Sequence, residues 1–170
     1  MGFYMETKQK LRKLKHTLYN DGLGVIMLGG WSVLKLVMSV IGGGNIFDYA
    51  NAEIDEDNLM LVKIFTYIFL VLGIIIIFFV HYYIGSRAMR VGKKDSKKRF
   101  FLIPTGFICI ITLLSSMLSI AALKDNIDDL DTLSISLILD IMLSFLLLDI
   151  IVSTIRVGRL QKQIIAKEGE

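Results

Sequence analysis

One proline, one cysteine, one tryptophan and two histidines are spread over 170 residues, and each scarcity removes a class of explanation. A single cysteine, Cys109, excludes an intrachain disulfide framework, and with His16 and His81 isolated there is no Cys/His metal-ligand spacing. No metal or other cofactor is expected. Catalytic signatures are missing as well: there is no Gly-x-Ser-x-Gly elbow, no HExxH and no glycine loop leading to Lys-Ser/Thr. Gly42-Gly43-Gly44 opens a segment rich in acids, which would repel phosphate rather than cradle it. The chain therefore reads as a non-enzyme.

Basic residues are absent from one connector and crowded into the next. The N-terminal arm, residues 1–21, carries Lys8, Lys10, Arg12, Lys13 and Lys15. Residues 43–58 hold Asp48, Glu53, Asp55, Glu56 and Asp57 and no Lys or Arg. Residues 85–99 are basic again, residues 124–131 acidic, and the tail from residue 156 to residue 170 returns to Arg156, Arg159, Lys162 and Lys167. Between these segments lie four apolar runs, at 22–42, 59–84, 100–123 and 133–155. About 20 helical residues cross the ~30 Å hydrocarbon core, so each run is long enough to span it. Lys and Arg are retained on the cytoplasmic side. The expected fold is thus an all-α integral membrane protein, a four-transmembrane-helix bundle over residues 22–155 with N- and C-termini cytoplasmic. Short loops without glycosylation sequons suggest a bacterial inner membrane. A net charge of +3 does not call for nucleic acid, because the excess sits in short flanks where topology accounts for it.

Cleavage of the first run as a signal peptide is not expected. Its apolar region, Leu23 to Ile41, exceeds the usual ~7–15 residues, and the small-x-small sequence Ala50-Asn51-Ala52 lies well beyond it. Leu11, Leu14 and Leu18 share one face of the basic arm, which suits a segment lying on the inner leaflet or simply a solvated start. Tyr82, Tyr83, Phe100 and Phe101 fall where an aromatic belt is expected, and Pro104 falls near the start of the third span, where a missing N–H costs little. Arg90-Val91-Gly92 and Arg156-Val157-Gly158 echo each other after the second and fourth spans, with glycine where a helix commonly ends.

Charges inside hydrocarbon are expensive, and there are four: Lys35, Lys63, Asp140 and Asp149. Lys63 starts close enough to its span's end to snorkel outward. Lys35 lies thirteen residues past Gly22 and Asp140 seven past Leu133 on a helix of opposite direction. Both therefore sit about 10–12 Å below the outer face, and they are expected to pair, as a structural ion pair or as a protonatable site. Asp149, nine residues beyond Asp140, faces the other way. It is expected to meet water, His81, a base on a neighbouring helix or another subunit, marking an oligomer contact or an inner vestibule. Thr105, Cys109, Thr112, Ser116 and Ser119 form one stripe of small, weakly polar residues on the third span. Gly22, Gly29, Ser32, Ser39 and Gly43 form a counterpart on the first, and Trp31 and Gly73 are expected to serve the same packing. Such seams suit close helix contact, or alternatively a cleft.

Two functions follow as expectations. The first is an accessory, assembly or protective subunit that acts by helix packing in the lipid bilayer, as a homo-oligomer or with a larger membrane-protein partner. The alternative is an oligomeric ion channel or proton-coupled transporter using Lys35, Asp140 and Asp149.

Overall fold

The computed structural model describes residues 2–41, 56–93, 99–123 and 130–168. Those residues form four α-helices: α1 Gly2–Ile41, α2 Glu56–Lys93, α3 Leu102–Leu123 and α4 Leu130–Glu168. All four are long and apolar enough to cross a membrane. The acidic residues Asp48, Glu53 and Asp55, and the 124–129 connector, lie outside the described residues.

The helices are longer than the apolar runs that nucleate them. α1, α2 and α4 contain 40, 38 and 39 residues, so each is about 57–60 Å long, nearly twice the hydrocarbon thickness. The excess lies at the basic ends, and propensity explains it. Residues 5–15 and 159–168 are dominated by Lys, Arg, Gln, Glu, Leu and Met, which lose little on entering a helix. The N-terminal arm is the first half of α1, with no break before the apolar run. Its leucine face is turned into the protein, with Leu18 fully buried and Leu11 and Leu14 half-buried. α4 likewise runs on for ten residues past Gly158, so the glycine of the Arg-Val-Gly echo does not end that helix.

α3, at 22 residues, is about as long as a bilayer is thick. A tight turn starts it: the Leu102 N–H donates to the Arg99 carbonyl at 3.0 Å and the Ile103 N–H to the Phe100 carbonyl at 3.2 Å. Pro104 has no N–H to offer and falls in the first turn, where none is needed. Phe101 departs from the expected aromatic belt. Tyr82, Tyr83 and Phe100 are exposed, but Phe101 is only 1% exposed and anchors the start of α3 in the core.

The chain divides into two compact units, Met1–Leu28 with Tyr82–Glu170, and Gly29–His81. Every buried apolar side chain among the described residues belongs to the first, including Leu18, Val25, Ile84, Phe101, Leu147 and Ile150. Within it α1 and α2 meet backbone to backbone: a Cβ added to Gly22 would lie 2.7 Å from the Gly85 carbonyl oxygen, and one on Gly85 would strike the Gly22 carbonyl. Only paired glycines permit that approach. One helical turn or two further on, Gly92 abuts the Lys15 carbonyl and Lys93 caps the Tyr19 ring at 4.7 Å.

In the second unit, residues 29–41 of α1 and 56–81 of α2, packing is sparse. Gly29 faces the His81 side chain, whose Cβ it would otherwise strike. Val62, Thr66, Leu70, Gly73 and Ile77 form a half-covered stripe along α2, while Phe65, Ile68, Phe69 and Phe79 point outward. Gly30 and Gly73 border open space, so Gly73 does not serve close packing within this chain.

Candidate functional site

The stripe on α3 lies against α4. Thr105, Cys109 and Ser116 are buried, and Thr112 and Ser119 are half-covered. Three hydroxyls are spent on their own helix: Thr105 donates to the Phe101 carbonyl at 2.7 Å, Thr112 to Cys109 at 3.0 Å and Ser116 to Thr112 at 2.8 Å. Such back-bonding satisfies a hydroxyl in an apolar setting without another helix. Other links cross to α4. Ser144 of α4, 2% exposed, places Oγ 3.0 Å from Thr112 Oγ1 and 2.9 Å from its own Asp140 carbonyl. The Cys109 thiol lies 4.0 Å from the Ser144 carbonyl. Small side chains let the two helices close up here, and the residues form a filled seam.

On α1 the stripe serves a different neighbour from α3. Gly22 packs on α2 at Gly85, and Gly29, in the second unit, on α2 at His81. Ser32 is half-covered; the Ser39 side chain and Gly43 lie outside the described side chains. His81 is 5% exposed, with Nδ1 2.8 Å from the Ile77 carbonyl oxygen. That bond needs the proton on Nδ1, which leaves Nε2 as an acceptor in the neutral ring. Nε2 is buried with no hydrogen-bond partner among the described residues. Trp31 and Lys35 are exposed on the second unit, and Asp140 is half-buried in the first.

Asp149 has a partner that the sequence reading did not name. In the first unit, the Asp21 carboxyl of α1 neighbours the Asp149 carboxyl of α4. Asp21 is 8% exposed and its Oδ2 is enclosed with no donor among the described residues, whereas Asp149 lies on the exposed surface of α4. Ser153, one turn on, donates to Asp149 Oδ1 at 3.1 Å. Thr154, next to Ser153 in sequence and 1% exposed, has a hydroxyl without a hydrogen-bond partner among the described residues. The neighbours are acid and acid, not acid and base.

A faint signal pointed to it. Asp21 is the only acid between Lys8 and Gly44, six residues inside Lys15, and Asp149 is seven residues inside Arg156. Measured from the basic ends, both lie about 10 Å inward. Among the described residues, no group of three or more His, Cys, Asp or Glu side chains could hold a metal ion. The chain matches no protein-family model, no curated protein and no solved structure.

Proposed function

We propose that this chain is a non-enzymatic multi-pass membrane protein, with both termini cytoplasmic, that acts by helix packing as an accessory, assembly or protective subunit. It self-associates or binds a larger membrane partner, in a bacterial inner membrane. The observation that supports this reading is Asp149: an acid within an apolar run, beside a buried acid and exposed on the surface of α4. Acyl chains are a costly cover for such a group, whereas a second helix bearing a donor, or a second copy of α4, covers it well. The outward-facing apolar side chains of α2 supply further surface of the same kind.

The mass of the full chain purified in a mild detergent tests this. Wild type is expected to run as an oligomer or with a stoichiometric larger protein, and Asp149→Leu as a monomer. A monomeric wild type with nothing bound overturns the reading. A tag inserted after Asn51 or Ile127 should be reached only from outside the cell; access from the cytosol overturns the orientation.

The neighbouring acids also favour a second reading, a proton-coupled channel or transporter, because carboxyls within apolar spans commonly mark proton pathways. Flux through reconstituted liposomes that is lost in Asp149→Asn or Asp140→Asn would establish that reading in place of the first. Lys35 and Asp140 are proposed to pair in either case. Each single charge reversal should lower expression severalfold and the double reversal restore it; a double variant no better than the singles removes the pair.

A further inference from the structure

Where α1 and α4 run past their apolar spans, they enclose a cavity of about 820 Å³. Its wall carries Lys8, Arg12 and Lys15 from α1, Lys162 from α4, and Arg99 from the turn that opens α3. Three separate stretches of chain thus converge five cations on one space, and among the described residues no acid lines it. Retention of Lys and Arg on one side of a membrane explains why these residues are basic; it does not require them to share a cavity. A second cleft of about 470 Å³, lined by Lys10, Lys13, Arg156 and Arg159, extends the same positive field.

Arg99 is held in place by an absence. Its guanidinium rests directly on Gly158, where any Cβ would collide with it. Gly158 is buried inside an otherwise continuous α4, a position where glycine costs about 0.5–1 kcal/mol relative to alanine. The bare helix surface is what lets the planar fork reach the cavity, and such a fork matches the paired oxygens of a phosphate.

The remaining wall is apolar: Leu11 on one side, Ile164 and Ile165 on the other. A free inorganic anion has no use for that surface. Gly158 lies three residues past the apolar run that ends at Ile155, which places the cavity's inner end about 5 Å beyond the hydrocarbon edge, at headgroup depth.

We propose that this cavity binds a phosphate group, and that its natural source is the headgroup of an anionic phospholipid, with the isoleucine wall meeting the glycerol and the upper acyl chain. Basic pockets between the ends of membrane helices take such headgroups by charge, and the apolar flank adds preference for an amphiphile over a soluble phosphate.

The test uses the full chain in nanodiscs of phosphatidylcholine, with and without phosphatidylglycerol, followed by native mass spectrometry of retained lipid. Inorganic pyrophosphate is the soluble arm. Wild type should retain phosphatidylglycerol in preference to phosphatidylcholine. Arg12→Gln with Lys162→Gln should weaken that retention by about tenfold or more, and Arg99→Gln alone by a smaller factor. Arg87→Gln with Arg90→Gln, which removes the same charge outside the cavity, should weaken it less than about threefold. Pyrophosphate binding without lipid preference, lost in the cavity variants only, keeps the phosphate site and moves its source to solution. Equal losses from both double variants, with folding intact by gel filtration, overturn the site in favour of a diffuse basic surface. So does a wild type that prefers neither the anionic lipid nor pyrophosphate.

Discussion

Residues 29–81 and the remainder of the chain are both strongly apolar, yet they are built on opposite principles. The α2 segment is the most hydrophobic of the four spans, and no residue of its most apolar window is buried. The other unit hides its core behind small and weakly polar groups: Gly22 on Gly85, Ala88, Cys109, Thr105, Ser144, Ser153. In water that ordering would be inverted. In hydrocarbon, burying a phenylalanine gains little, because lipid tails already solvate it, so close approach of backbones decides which faces meet. Phe69, 73% exposed, and Leu147, fully buried, are equally greasy; what differs is whether neighbouring glycines, serines and threonines let another helix come near.

The largest expected effect separates these two residues. Leu147→Ala should cost about 2–5 kcal/mol, since it opens a cavity among packed helices. Phe69→Ala should stay within about 0.5 kcal/mol. Unfolding midpoints in a denaturing-detergent titration of both variants check this. If Phe69→Ala costs as much as Leu147→Ala, the comparison breaks in an informative way: the face of α2 is then covered in the native assembly, by a second copy or a partner.

A next test uses the same substitution at two glycines. Gly85→Ala forces a methyl against the Gly22 carbonyl and should cost about 1–3 kcal/mol. Gly73→Ala enters open space and should instead stabilise by up to about 1 kcal/mol, through helix propensity. The same titration reads both. Destabilisation by Gly73→Ala would mean that something outside this chain packs there.

These contrasts also mark how far the sequence could be read. Four helices followed from four apolar runs, each long enough to span a bilayer. Their extension beyond the apolar runs did not, since Lys- and Arg-rich flanks such as residues 5–15 and 159–168 serve equally well as solvated tails or as continuing helix. The stripe from Thr105 to Ser119 was visible as spacing, but its neighbour was not: Ser144 carries no mark that distinguishes it from Ser134 or Ser136. Asp21 was hidden by its surroundings, an acid at the end of a basic arm that reads as part of a solvated segment. Gly158 was misleading for a similar reason, because a glycine after Arg-Val looks like a helix stop and gives no hint that Arg99 rests on it.

The smallest expected effect concerns the hydroxyl–hydroxyl hydrogen bond from Ser144 to Thr112 across the α3–α4 seam. Ser144 has a single proton and two acceptors within reach, Thr112 Oγ1 at 3.0 Å and its own Asp140 carbonyl at 2.9 Å. When Thr112→Val removes the first, the proton turns to the second, and little is left unsatisfied. A double-mutant cycle of Thr112→Val and Ser144→Ala should therefore give a coupling of about 0.6 kcal/mol, the ordinary value for an interhelical bond in lipid. Thr66, in the other unit, bonds only back to Val62 at 2.9 Å, and Thr66→Val should change stability by less than about 0.5 kcal/mol. A coupling above about 1.5 kcal/mol would show that the hydroxyl link, rather than the small size of the residues around it, holds α3 on α4. A coupling of zero would show that Ser144 is there for its size alone, so that alanine would serve as well.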